Sequence, residues 1–379
     1  MRHGARYSSS RCRRLRSANR SAQAHWNRTR EHTMANASQD KPGQTMRAAV
    51  LHDLRDLRVQ DVPIPAVGDD GVLVRVKAVG VCGTDLHTYK LGMFKEMTLP
   101  QEDGVLFGHE FAGEVVAIGA DAGVADIAAG DRVVGFAIGA YAEYCNVTPI
   151  TTPHPLVLNL PDAVSYEEAA TLEPLVVSLT AVQRADPQPG ERILLIGAGM
   201  IGLGCLQVIR ALHPDCEVIV SDVAENRLQM AREFGAARTV NAQEEDLVAA
   251  MKALAGETPV LYSPVSSGNI DVVIECAGLP QTLNQALEVV KPASGRLIAV
   301  ALYETTPQVD FNQVVAKNIS IFGTLGYTEE EVRQSLQLIS DGKVDRKPLI
   351  THRYDLAQAG EAFEAQINTR TTLKAVIKP

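Results

Sequence analysis

The stretch Ile193-Leu194-Leu195-Ile196-Gly197-Ala198-Gly199-Met200-Ile201-Gly202 decides how the rest of the chain is read. Four consecutive aliphatic residues stopped by glycine suit a short strand buried on both faces. The glycines then follow G-x-G-x-x-G, and a helical pattern runs on from Met200 to Leu212. Alone, that spacing is also an ordinary glycine turn in a sheet that binds nothing. A strand before it and a helix after it make the context that points to a dinucleotide. Gly197 then permits the tight turn, Gly199 lets a pyrophosphate approach the backbone, and Gly202 lets helix and strand pack closely. Met200 and Ile201 open the helix, whose free N–H groups and positive dipole end face the phosphates.

Downstream, apolar runs alternate with helical patterns. The runs are Arg192–Ile196, Glu217–Ser221, Asp271–Glu275, Arg296–Ala301 and Ile319–Phe322, and the helices Met200–Leu212, Glu225–Phe234, Glu244–Leu254, Gln281–Val290 and Glu329–Ser340. Short buried strands alternating with helices predict an α/β fold with a doubly wound parallel sheet. Asp222 directly follows the second run, 25 residues after Gly197, near the spacing of about 20 expected of a ribose-binding acid. A carboxylate there accepts both ribose hydroxyls and repels a 2′-phosphate, which favours NAD over NADP. Arg227 complicates the choice, since an arginine can pair with that phosphate.

Upstream, from Met46 to Val147, the pattern is β: Arg47–Val50, Leu57–Val62, Val72–Val79, Phe111–Ile118, Asp131–Phe136 and Tyr141–Val147, separated by Gly- and Asp-rich turns. This predicts a β-rich, barrel-like unit. Tyr166–Arg184 is predicted as one helix, with Ser165 and Glu168 as a capping box. Cys82 and His109-Glu110 lie between the strand patterns, and Glu173 lies in the helical stretch. A thiolate, an imidazole and a carboxylate from separate segments suit zinc with a position left open. Singly, each has a plain explanation, a small buried hydrophobe or a polar loop residue; their occurrence beside a dinucleotide motif is what draws them together.

Composition sets the limits. The chain has 379 residues, six cysteines and a net charge of −9. Residues 1–45 hold nine Arg and one Lys against Glu31 and Asp40, a net of +8, so the remaining 334 residues carry −17. An acidic body argues against a duplex nucleic-acid partner. No apolar run reaches the ~20 residues of a membrane span; the longest, Ile193–Leu206, is broken by four glycines. No C-x-x-C pair occurs, so neither a disulfide scaffold nor a Cys₄ zinc site is expected, and a reducing, cytoplasmic setting is. Residues 1–45 are expected to be a disordered tail: an extension or upstream start ahead of Met34 or Met46, or an Arg/Ser-rich transit segment.

Together, Cys82-Gly83-Thr84-Asp85-Leu86-His87, Gly108-His109-Glu110, Gly130-Asp131-Arg132-Val133, Glu173-Pro174, the Gly197 loop and Asp271-Val272-Val273-Ile274-Glu275 resemble the zinc-dependent medium-chain alcohol dehydrogenases. The likeness is to their polyol/sorbitol and butanediol dehydrogenase-like branch, and it covers residues 46–379. It implies a Rossmann NAD-binding domain (179–325) and a GroES-like catalytic domain (46–178 with 326–379). It implies Cys82, His109 and Glu173 as ligands of a catalytic zinc, Glu110 as a fourth, exchangeable or water-bridged carboxylate, and Asp85 as the group orienting His109. Many relatives carry a second, structural zinc in a lobe with four close cysteines. Here three residues separate Gly135 from Gly139, and Cys145 is the sole cysteine nearby, so one zinc per subunit is expected.

The resemblance further implies hydride transfer from a secondary alcohol, diol or polyol to NAD⁺, giving the ketone. Zinc acts as Lewis acid on the alcohol, while Thr84 hydrogen-bonds the alkoxide and passes its proton through the nicotinamide ribose to His87. An exposed helix histidine is the plain alternative for His87. Cys276-Ala277-Gly278 is expected near the adenosine or ribose, Val300-Ala301 near the nicotinamide, and residues near Tyr89, Phe94 and Leu325 in the substrate pocket. Same-fold threonine or amino-alcohol dehydrogenases, and a non-catalytic NAD-binding relative, are the competing readings. Relatives of this kind form homo-dimers or homo-tetramers through the cofactor domain.

Overall fold

The computed structural model describes residues 44–124, 126–149, 156–261, 266–368 and 370–379; nearly all of the expected N-terminal tail lies outside them. The first part of the chain forms β1 (Thr45–Asp53), β2 (Asp56–Pro63), β3 (Val72–Gly80), β4 (Leu99–Gln101), β5 (Gly104–Leu106), β6 (Glu110–Ile118), β7 (Arg132–Phe136), β8 (Tyr144–Val147) and β9 (Leu156–Asn159). They make a four-stranded sheet, β2-β1-β5-β4, and most of a seven-stranded one built on β3 and β6. Between the sheets lies a core of Val74, Val76, Phe107, Phe111, Tyr141 and Phe363. The alternation Val72, Val74, Val76 dictates this, since successive side chains of a strand point to opposite faces.

The second part adds β10 (Arg192–Ile196), β11 (Glu217–Asp222), β12 (Arg238–Asn241), the short pair β13 (Glu257–Thr258) and β14 (Ser267–Gly268), then β15 (Val272–Glu275), β16 (Arg296–Ala299) and β17 (Ser320–Gly323). Six of them form a parallel sheet in the order β12-β11-β10-β15-β16-β17. Numbered within the unit this is 3-2-1-4-5-6, the doubly wound Rossmann order, whose ligand crevice opens where the order reverses, between β10 and β15. Both faces are covered: Ile193 and Leu195 enter one apolar cluster, Leu194 and Ile196 another. That is why the strand has no polar alternation. The edge strand β12 escaped the sequence reading because Arg-Thr-Val-Asn offers a single aliphatic residue.

The chain then returns. β18 (Ile350–Asp355) and β19 (Lys374–Lys378) extend the seven-stranded sheet, with β19 antiparallel to β3 at Val376↔Gly80. No helix of the described residues is long and apolar enough to cross a membrane.

One expected helix is two. Ser165 and Glu168 form the capping box, Ser165 N donating to Glu168 Oε2 at 3.1 Å, but the helix stops at Ala169 and a second runs Leu172–Ala185. The reason is Pro174. Its ring would collide with the carbonyl of Ala170 in a continuous helix, yet it is tolerated within a first turn. The break places Glu173 at the start of the second helix, whose Leu172, Leu175 and Leu179 join barrel residues Val134 and Phe136 to Ile193 and Leu203 in one cluster.

Candidate metal centre and cofactor crevice

The metal-binding candidates meet at the Gly80 end of β3. Register is the cause: β3 and β6 are antiparallel with Gly80 opposite Glu110, so the chain leaving β3 through Cys82 passes the His109-Glu110 pair entering β6. Glu173 arrives from the restarted helix. Ligand atoms of Cys82, His109, Glu110 and Glu173 all lie within 4.8 Å of one another. Cys82 caps the helix Gly83–Leu91, where the helix dipole favours a thiolate.

Asp85, buried in the first turn of that helix, organises the cluster. Its Oδ1 lies 3.4 Å from His109 Nδ1, and its Oδ2 accepts from Cys82 N at 3.4 Å and from the Tyr141 hydroxyl at 2.6 Å. A carboxylate at Nδ1 fixes the ring and leaves Nε2 for a metal. Opposite, the buried Lys374 ammonium pairs with Glu110 Oε2 and donates to the Val81 carbonyl at 2.9 Å. Glu110 Oε1 is buried without a hydrogen-bond partner, the state of an oxygen set aside for a ligand.

Electrostatics agree. Burial pushes the Cys82 thiol up, and Glu110 adds to it. Burial alone would lower His109, but Asp85 and Cys82 outweigh it and hold the imidazole well above its ordinary value. Burial, with Glu110 as a further repulsion, pushes Glu173 up to about 7. Anionic donors crowded in a dry site, with one ammonium among them, call for a dication. Soft sulfur, imidazole nitrogen and carboxylate oxygen in one set fit zinc.

The glycine loop is formed as expected. Gly197 sits at φ +100°, and a Cβ on Gly202 would strike the Gly197 carbonyl. Gly199 caps the helix Met200–Leu212, with Arg227 Nη1 3.8 Å from where its Cβ would stand. Met200 and Ile201 are its first two residues. Asp222 closes the turn: Oδ2 accepts from Ala198 N at 2.6 Å, and Oδ1 from Val223 N and Ala224 N. Arg227 is tethered through Nη2 to the Thr372 carbonyl, 2.9 Å away. Cys276-Ala277-Gly278 flanks Gly197, and buried Glu275 accepts from Ala277 N, Gly278 N, Thr282 and Tyr303.

Thr84 lies two residues beyond Cys82 on the same helix, and His87 one turn further. One pocket expectation fails. Tyr89 is buried in the barrel core, its ring 5.0 Å from that of Phe363 and its hydroxyl donating to Glu364 Oε1 at 2.8 Å. Helical periodicity turns position 89 inward, away from the crevice. Phe94 packs edge-on against His87 at 6.2 Å, and Leu325 is 90% exposed. Sequence reading missed Lys374, Tyr141 and Tyr327. Burial and the neighbouring Glu173 carboxylate push the Tyr327 hydroxyl up, and its ring meets that of Phe136 at 5.8 Å. Tyr327 and Lys374 lie far along the chain from the motifs, and Tyr141 sits in a plain strand pattern, so none gave a local signal.

Comparison with known proteins agrees with this geometry. The alcohol dehydrogenase GroES-like domain model matches residues 68–157, and the zinc-binding dehydrogenase model residues 201–341. A sorbitol dehydrogenase of Bacillus subtilis is 32% identical over 364 residues, covering 89% of this chain and 98% of its own. A D-xylulose reductase of Saccharomyces cerevisiae is 30% identical, covering 84% and 94%. Among solved structures, the 2R,3R-butanediol dehydrogenase of Bacillus subtilis superposes with a TM-score of 0.74 at 28% identity, covering 88% of this chain and 99% of that one. A mixed thiolate–imidazole–carboxylate cluster together with a doubly wound sheet carrying the glycine turn, in a chain alike over nearly its whole length to these enzymes, places it in the zinc-dependent medium-chain alcohol dehydrogenase family, in the polyol dehydrogenase branch.

Proposed function

We propose that the protein oxidises a secondary alcohol, vicinal diol or polyol to the ketone, reducing NAD⁺, with one catalytic zinc held by Cys82, His109 and Glu173. The observation that carries this is the convergence of those residues with Glu110 at one end of β3. Zinc, when bound, supplies a Lewis acid that lowers the alcohol's pKa. The chain does the rest. Asp85 holds the His109 ring, Lys374 balances Glu110, and the opening N–H groups of the helix Met200–Leu212 meet the pyrophosphate. Thr84 receives the hydroxyl proton and His87 carries it outward. We assign Asp222 to the ribose hydroxyls and NAD as the cofactor; a carboxylate in that turn repels a 2′-phosphate, while Arg227 is already engaged by Thr372.

Support for a polyol or diol substrate comes from relatives whose names specify sorbitol, D-xylulose and 2R,3R-butanediol. We assign residues 46–178 with 326–379 to the catalytic domain and 179–325 to the cofactor domain, a division favoured by the return of β18 and β19 to β3. A single zinc is favoured by the short, cysteine-poor connection after β7. A cytoplasmic setting is in keeping with the free thiols of Cys82, Cys145, Cys205, Cys216 and Cys276. Assembly as a homo-dimer or homo-tetramer is supported by the open edge of β17 and its apolar surroundings.

The test is a panel of polyols, vicinal diols, threonine and simple secondary alcohols with NAD⁺ and NADP⁺, run beside metal analysis. Turnover of a polyol or diol with NAD⁺ and one zinc per chain is expected. Exclusive turnover of threonine would transfer the protein to the amino-alcohol enzymes, and two zincs per chain would refute the single site. Cys82→Ser is expected to lose zinc and turnover while still binding NADH.

A further inference from the structure

We propose that Glu304 is a positioning residue for His87, so that the group carrying the proton outward is assembled from both parts of the chain. The proposal rests on the reading of His87 as outer proton acceptor and names the group that tunes it.

His87 and Lys90 project from the helix Gly83–Leu91, beside the metal-binding cluster. Glu304 comes from the loop after β16, in the other half of the molecule. Its Oε1 accepts from Lys90 Nζ at 2.9 Å and lies 3.5 Å from His87 Nδ1. That nitrogen is buried with no hydrogen-bond partner, so the Glu304 carboxylate faces it as a charge, and the Phe94 ring meets the imidazole edge-on. Glu304 and Lys90 are the charged groups that face it.

A carboxylate at Nδ1 favours the tautomer carrying hydrogen there, which leaves the Nε2 lone pair free to take a proton. Once the ring is charged, the same carboxylate stabilises it. Lys90 acts against this, as a cation beside a forming cation. Burial lowers the His87 pKa, Glu304 raises it and Lys90 lowers it. One Glu304 oxygen thus faces both the ring and the Lys90 ammonium, and the two charges act on the ring in opposite senses.

The Glu304 loop is itself anchored to the cofactor crevice. Adjacent Tyr303 donates to Glu275 Oε2 at 2.7 Å, and Glu275 Oε1 holds the Ala277 and Gly278 amides that flank Gly197. A dinucleotide in that crevice lies against the loop system that carries Glu304. The proton path is therefore completed where the two halves meet around the cofactor.

The test uses the zinc-loaded full-length protein with NADH bound, comparing Glu304→Gln and Lys90→Met. His87 is titrated by NMR of histidine-labelled protein, its resonance assigned with His87→Gln. Glu304→Gln is expected to move the His87 titration to lower pH and Lys90→Met to higher pH. The acid limb of kcat, which reports the neutral acceptor, should follow in the same two directions with KM for the alcohol unchanged, and Glu304→Asp should restore part of the shift. Titrations that stay put, or that move the same way in both variants, would overturn the proposal. If His87→Gln left kcat and its pH profile unchanged, the relay reading would fail, while the NMR titrations would still decide whether Glu304 tunes the ring.

Discussion

At the scale of single residues, the centre depends on groups that never touch the alcohol. Asp85 binds the His109 ring, the Cys82 amide and the Tyr141 hydroxyl at once. Its replacement by asparagine is expected to cost about 10–100-fold in zinc affinity or turnover, measured by chelator competition and by kcat, with the folded structure retained by circular dichroism. A second expectation concerns pH. Glu173 is pushed up to about 7 in the metal-free site, chiefly by burial, so below that pH it binds a proton that zinc must displace. Zinc retention against a fixed chelator should therefore fall as pH drops from about 8 to about 6, and an unchanged retention curve would show that Glu173 is not a ligand. Cys82, His109 and Glu110 were legible in sequence because each sits in a compact local motif. Tyr327 and Lys374 were not, because a single Tyr or Lys becomes informative only when folding buries it against a carboxylate.

Among the elements, local chemistry fixed boundaries well where the signal was strong. Arg192–Ile196, Met200–Leu212 and Glu329–Ser340 form as the pattern predicts, the last helped by the Thr328–Glu331 capping box. The glycine turn between the first two tolerates little change. Gly202→Ala would drive a methyl into the Gly197 carbonyl and is expected to destabilise the protein by about 1–3 kcal/mol. NADH binding should weaken with it; the checks are the urea midpoint and fluorescence titration of NADH. The split at Ala170–Thr171 shows the opposite case. Capping and periodicity suggested one helix, and one proline within a first turn made it two, which is what aims Glu173 into the cluster.

Seen whole, the parallel sheet ends among the described residues in two edge strands, β12 and β17. β17 is an edge strand; close to it in sequence are Phe311 and Val315, 65% and 77% exposed, four apart on the helix Phe311–Lys317, with Ile321 and Leu325 also exposed. An uncovered strand edge with apolar neighbours invites pairing with another chain. A Val315→Glu, Ile321→Glu double variant should shift the native mass toward the monomer in light scattering; a parent that is already monomeric would refute this interface. By itself the sequence determined the two unit types, the glycine loop and the candidate metal donors, because periodicity, glycine spacing and side-chain chemistry act over a few neighbouring residues. Only the tertiary structure decided which distant side chains balance that centre. The antiparallel register of β3 with β6 and β19 brings Cys82, Glu110 and Lys374 to one point, and the apposition of the two halves sets Glu304 against His87. Charge pairing between residues more than about 200 positions apart is a property of packing, and leaves no trace in the local pattern.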